Sequence, residues 1–377
     1  MISSFRLLHA CFAALLLVTP FSGASAADIF TVRGIHVDKT AESATAARAA
    51  ALVEAQRIAL TAMMKKLTLP EDWASLPEVD EATAQNAVRG FQVANEKTSS
   101  TRYIAEMIVS FQPEAVRRLL RGANVAFGET QARAALLLPV LHREGGPVLW
   151  EENNPWRAAW ASLEPSDELT PLILPIGEIM EINSVPATTA IADDEASLTA
   201  LSDLAANYGT SSVVVAEASP AGSGLRVTLT RRGGFTESDP IKKTYEGQDE
   251  AAMKLAAADM LNELSTQWKQ QIIVRDNRVS TIVAQADFAT LSDWENIRKG
   301  LTSTPLVQGV EVVGISSRGA EIRISHKGST DMLALSLAQQ NVELAAPEKS
   351  EGTTELVPYT PASTISRTQQ WHLTVRQ

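Results

Sequence analysis

Ala134 to Leu141 reads AALLLPVL, a run without one polar side chain. A membrane helix needs roughly 20 apolar residues, and a strand with one wet face alternates apolar with polar. A shorter uninterrupted run is therefore a strand buried on both faces, and something must cover each side. Leu172 to Ile176 and Ser212 to Ala218 read the same way. Between them, Leu198, Leu201, Leu204, Ala205 and Tyr208 share one helical face, and Gly209 is a natural residue to end that helix. Leu225 to Arg231 and Ile241 to Tyr245 form an antiparallel pair, and Asp249 to Lys269 a long closing helix. Residues 128–277 thus read as an α/β module with an antiparallel edge.

The flanks read as smaller α+β units. In residues 27–127, a strand at Ile29 to Val37 precedes an Ala-rich helix, Ala44 to Leu67. Its expected inner stripe is Ala51, Leu52, Ala55, Ile58, Ala59, Ala62 and Met63. A short helix at Glu81 to Val88, a hairpin of Phe91 to Lys97 with Arg102 to Phe111, and a helix opened by Pro113 follow. Residues 278–346 give β-α-β-β-α-β, the ferredoxin-like order. There Ser292 to Glu295 reads as a capping box. The fold class is α+β and α/β in three small mixed modules, the last ferredoxin-like. Residues 347–377, rich in Pro, Ser, Thr and Glu, read as a mobile tail in which Trp371 to Val375 can dock as a strand.

Residues 1–26 have the three parts of a signal peptide. Arg6 is the positive region, Leu7 to Val18 the apolar run, and Ala24-Ser25-Ala26 the small-residue cleavage site. Cleavage is expected after Ala26. The only cysteine, Cys11, leaves with that segment, and no Asn-x-Ser/Thr site is present. This combination favours a bacterial periplasm. The net charge of −11 disfavours nucleic acid and anionic lipid. No segment after residue 26 is long and apolar enough for a transmembrane span.

Catalytic chemistry is hard to find. The chain has no G-x-S-x-G elbow, no S-x-x-K, no P-loop and no G-x-G-x-x-G. His36, His142, His326 and His372 lie in separate segments, without the spacing of a helical zinc site. Asp193-Asp194-Glu195 precedes a helix and reads as a cap, where acids favour the helix dipole. No catalytic residue, metal or cofactor is expected.

The unusual stretch is Leu149 to Trp160, LWEENNPWRAAW. Asn154 and Pro155 open a helix that sets Trp156 and Trp160 on one face, with Trp150 just before it. The favoured role of these indoles is core packing against the sheet. The functional role is a platform for a glycan or a partner's apolar side chain, formed by Trp150, Trp156 and Trp160 with Glu151, Glu152, Asn153 and Arg157 as polar rim.

With the strand ALLLPVL before it, this motif resembles a bacterial family of exported proteins catalogued as domain of unknown function 2066, a resemblance that extends over most of the mature chain, with the Ala-rich first helix, the Leu198 to Ala218 unit and the Trp294-containing third module. The family implies export and supplies no site residues. At the level of pattern, the helix-Gly-strand unit from Leu198 to Ala218 is similar to the TolB amino-terminal domain and to curli-secretion-type lipoproteins, and the first segment to flagellar-assembly modules. The expectation is a non-enzymatic periplasmic binding or envelope-assembly protein whose partner is an envelope protein or glycan. The alternative is a periplasmic hydrolase or carbohydrate-active enzyme using carboxylates near the Trp-rich segment.

Overall fold

A computed structural model describes residues 29–232, 239–275, 278–316, 319–346 and 371–375. The signal-peptide reading and most of the predicted tail lie outside the described residues. The described chain is mixed α and β, built on three sheets.

The first sheet comes from β1 (Thr31–Thr40), α1 (Ala44–Leu67), α2 (Glu81–Ala87), β2 (Val88–Thr98), β3 (Arg102–Phe111) and α3 (Pro113–Gly122). Its strand order is β1-β3-β2, all antiparallel. Ser43 starts α1, its hydroxyl accepting the Ala46 N–H at 3.2 Å. The helix has the expected limits, but its buried stripe is rotated. Ala47, Ala51, Ala55, Ala59, Leu60, Met63, Met64 and Leu67 face inward, and Ile58 is 41% exposed. Small side chains along that stripe bring the helix close to Tyr103, Ala105, Met107 and Val109 of β3.

The second sheet comes from β4 (Ala135–Arg143), β5 (Gly146–Val148), α4 (Pro155–Ala161), β6 (Leu172–Ile173), α5 (Ile179–Ser184), α6 (Ala187–Ile191), α7 (Glu195–Asn207), β7 (Val213–Ala221), β8 (Gly224–Arg232), β9 (Ile241–Glu246) and α8 (Glu250–Ile272). The order is β5-β4-β7-β8-β9, with the short β6 also on β4. β4 and β7 are parallel, and β8 and β9 form the antiparallel edge. β4 is buried on both faces. Ala135, Leu137 and Leu141 point to α4 and α8. Leu136, Leu138 and Val140 point to α6 and α7. The strand expected at Leu172 to Ile176 stops after Ile173, and Leu198 of α7 is 41% exposed instead of inward.

α8 also joins this sheet to the first core. Trp268 and Ile272 pack with the first cluster, and the Trp268 indole donates to the Thr130 carbonyl at 2.7 Å. The Lys269 ammonium donates to Lys65 O and Thr68 O at 3.2 and 2.6 Å. Those carbonyls belong to the last turn and cap of α1, where a cation also meets the negative end of the helix dipole.

The third sheet comes from β10 (Val279–Asp287), α9 (Leu291–Ser303), β11 (Val307–Ile315), β12 (Gly319–Lys327), α10 (Thr330–Ala338), β13 (Val342–Ala345) and β14 (Trp371–Val375). The predicted β-α-β-β-α-β order is present, with β14 added as a fifth strand. The capping box of α9 is formed by Thr290 and Asp293, two residues ahead of the expected Ser292. Gly300 of α9 faces β13, and a Cβ on it would collide with Val342 Cγ2. Gly300→Ala is expected to lower stability by about 1–3 kcal/mol, the usual cost of overpacking. Val342→Ala in the same chain should recover part of that loss in a denaturant titration, because it removes the colliding methyl.

Candidate binding surface

Asn154 stitches the Trp-rich segment to the middle sheet. Its side-chain oxygen accepts the N–H groups of Trp156 and Arg157 at 3.1 and 3.2 Å. Its amide donates to the carbonyls of Pro139 and Leu149, each at 3.3 Å. This buried cap aims the first turn of α4 at the sheet. Trp156 and Trp160 then share a face, edge to face with ring centres 5.6 Å apart, and both are fully buried against α8. The Trp156 indole donates to Ala216 O of β7 at 2.7 Å.

The expected platform is therefore divided. Trp156 and Trp160 are sealed in the core and present no surface. The Glu151 carboxylate accepts the Leu149 N–H at 2.8 Å and shapes its own turn. Glu152 and Asn153 are exposed. Trp150 and Arg157 sit on the outer side, half-buried, with the guanidinium 5.8 Å from the indole centre. Together they support the segment from Pro175 to Ser184. Arg157 donates to Pro175 O, and the Trp150 indole donates to Val185 O at 2.8 Å. Gly177 has φ +87°, and a Cβ there would lie 3.2 Å from the Trp150 ring, so a side chain would be both strained and crowded.

This segment is turned inside out. Glu181 is only 9% exposed. One of its oxygens accepts the N–H groups of Gly177 and Glu178 at 2.7 and 2.8 Å, and the other accepts the Tyr208 hydroxyl at 2.5 Å. The Tyr208 oxygen accepts the Ile176 N–H in turn. Burial alone would raise the Glu181 pKa. The hydrogen bonds from Tyr208, Glu178 and Gly177, with the nearby Arg157 charge, outweigh it and hold the carboxyl below its ordinary 4.5. The apolar residues point the other way: Ile176 is 77% exposed, Ile179 78%, Met180 82% and Ile182 40%. Single exposed apolar residues are ordinary, but four in seven consecutive positions form a ridge. The sequence held a signal for it. Beyond the strand read over Leu172 to Ile176, the large apolar residues Ile179, Met180 and Ile182 stand between Gly177 and the turn formers Asn183-Ser184, too short a stretch for a long helix.

Charged groups of a second concavity are held in part by structural contacts. A cleft of about 890 Å³ between the first sheet and α8 is lined by Lys65, Trp73, Glu106, Glu168, Glu263 and Lys269, among others. Glu106 accepts from Asn95, and Glu263 from Lys243. Burial lowers the Lys269 pKa to about 8, but its proton donors point at backbone carbonyls. Among the described residues, no three His, Asp or Glu side chains are grouped to hold a metal ion, and no helix is long and apolar enough to cross a membrane.

Residues 30–129 match the model of a family described as Domain of unknown function (DUF8605). This corrects the resemblance to domain of unknown function 2066, which was read from the Trp-rich motif and extended over the Ala-rich first helix that the matched residues contain. The match covers the first sheet with its helices and stops before β4. The likenesses to the TolB amino-terminal domain and to curli-secretion-type lipoproteins find no support. No curated protein and no solved structure matches the chain.

Two measurements test this geometry. Trp156→Ala should cost about 3–5 kcal/mol in a denaturant titration, whereas Glu152→Ala, at an exposed position, should stay within about 0.5 kcal/mol. The depressed pKa of Glu181 stabilises the fold fully above its ordinary 4.5, and this contribution is lost as pH falls below that value toward the folded one. Glu181→Gln should therefore lower the melting temperature at pH 7 and flatten its acid dependence below 4.5. A melting curve with the wild-type slope in acid would remove Glu181 as the anchor.

Proposed function

We propose that this chain is a non-enzymatic binding or assembly protein of the bacterial cell envelope, acting in the periplasm through the ridge Ile176–Ile182. The observation that carries the reading is the inside-out construction of that segment. A buried carboxylate with three hydrogen-bond donors fixes the backbone, so the four apolar side chains are presented without first being ordered. Preorganisation of this kind lowers the entropic cost of association. Each large apolar side chain taken fully out of water adds about 1.5–3 kcal/mol to docking.

Charge narrows the partner. Exposed Glu178 lies within the ridge, and exposed Glu151 and Glu152 follow Trp150, which packs under Gly177. An apolar groove with a basic rim on another envelope protein fits this surface. An anionic lipid surface does not, and a glycan would lack the stacked indoles, which are buried. The enzyme alternative needs carboxylates free beside the Trp-rich segment. Glu151 and Glu181 are both engaged by hydrogen bonds there, and Glu152 and Glu178 stand on the exposed surface, which favours the binding reading. The signal sequence of residues 1–26 supports the compartment.

A photo-crosslinking residue placed at Met180 in cells should give a discrete protein adduct, carried by a form whose mass begins at Ala27. The double variant Ile179→Asp, Met180→Asp should reduce recovery of the same partner at least tenfold while changing stability by no more than about 0.5 kcal/mol per site. If Met180 crosslinks no more than exposed Glu195 does, the ridge is not the docking surface.

A further inference from the structure

The cleft of about 890 Å³ beside the first sheet has an unusual backbone border. Arg33 and Gly34, the latter with φ +65°, form a bulge in β1 between the paired residues Val32 and Ile35. Asn95, with φ +52°, lies in a bulge of β2 between Ala94 and Lys97, and its amide donates to Glu106 of β3 at 2.6 Å. Glu164, in the loop after α4, has φ +46°. Gly34, Asn95 and Glu164 all line the cleft. Bulges recur where a sheet borders a ligand site, because they bend the strand and re-aim its side chains. A glutamate in the left-handed region costs energy, and such strain gathers at ligand clamps.

The walls supply hydrogen-bonding groups that the fold leaves unused. α8 presents Asp259, Asn262, Glu263 and Thr266 to the cleft, spaced i, i+3, i+4 and i+7 along one helical face. The Lys243 ammonium holds the Asp259 and Glu263 carboxylates at 3.0 and 2.9 Å. Among the described residues, the Asn262 amide, the Thr266 hydroxyl and the Glu164 and Glu168 carboxylates are in no hydrogen bond. On the α1 side, the Lys65 ammonium sits 5.0 Å from the centre of the Trp73 ring, and Trp73 is 39% exposed. Lys269, itself only 4% exposed, gives two N–H groups to backbone carbonyls and keeps a third.

This mixture selects a ligand by exclusion. A multivalent anion would meet the Glu164 and Glu168 carboxylates, and a cation would meet Lys65 and Lys269. Among the described residues, a metal ion finds no group of three acidic or imidazole ligands. An extended peptide would pair with the outer edge of β1. The bulge interrupts that edge, and the Thr31 carbonyl already accepts from Lys66 at 3.2 Å. A sugar hydroxyl, by contrast, donates to a carboxylate and accepts from an ammonium or amide at once. The C–H face of a sugar ring also stacks on an exposed indole. The volume falls within the roughly 300–1,000 Å³ of ligand pockets.

We propose that this cleft binds a short, uncharged oligosaccharide, with one ring on Trp73 and its hydroxyls shared among Asn262, Thr266, Glu164 and Glu168. The site does not rest on the ridge Ile176–Ile182, whose residues lie outside the cleft.

Calorimetric titration of the full chain tests the assignment. The neutral probes are maltotetraose and the N-acetylated chitotetraose, and the anionic probe is tetragalacturonate. At least one neutral probe should bind saturably, one per chain, and tetragalacturonate more weakly by about tenfold or more. Which neutral probe binds tells whether the site reads plain hydroxyls or acetamido groups. Trp73→Ala should weaken that binding by about tenfold or more, and Asn262→Ala by about threefold or more. Asn262 is exposed, so its variant should keep the wild-type melting temperature. Lys254→Ala, exposed on the same helix but outside the cleft, should leave sugar binding unchanged. Binding of neither neutral probe, equal or tighter binding of tetragalacturonate, or neutral binding that survives both Trp73→Ala and Asn262→Ala would each overturn the proposal.

Discussion

Everything in the middle of this molecule follows from β4 having no wet face. A strand that is apolar on both sides needs two covers, and the chain supplies them in different ways. On one side stand the indoles of Trp156 and Trp160 with α8. On the other stand α6 and α7. Asn154 is the hinge between these demands. Its oxygen caps α4 while its amide satisfies carbonyls of β4 and of the turn before the helix. A buried polar side chain is tolerated there because its hydrogen-bonding capacity is used.

α8 carries this order across to the first sheet. One part of the helix closes the middle sheet. The turn holding Trp268 and Lys269 meets the first core and the last carbonyls of α1. The third sheet is tied in by the Thr130–Ser336 hydroxyl pair and by the Arg133 N–H, which donates to the Gln339 side chain. The linker near residues 128–133 thus contacts all three units.

The ridge at Ile176–Ile182 reverses the usual sorting of side chains. Burying a carboxylate is costly unless donors surround it, and here three donors do. The same arrangement uses the inward positions for polar anchors, so the isoleucines and Met180 are left outside. The surface is therefore a consequence of how the segment is fastened.

Local patterns in the sequence determined where many elements lie and of what kind they are. Ser43 and the Ala-rich run set α1, Pro113 opens α3, and Asn154-Pro155 opens α4, because caps and periodicity act over a few residues. Which way those elements face was decided by tertiary packing. α1 turned Leu60 and Met64 inward and Ile58 outward, because β3 and α2 chose the stripe. Trp156 and Trp160 were legible as a pair on one face, but only the sheet beside them made that face interior. The turn-bounded apolar residues of the ridge stand in the sequence, but their exposure does not, because it depends on Tyr208 and Trp150 gripping the segment from distant parts of the chain. The place of β14 between β10 and β13 was equally out of reach. Alternation in Trp371–Val375 predicts a strand, but pairing across a long connection is set by which neighbours have a free edge.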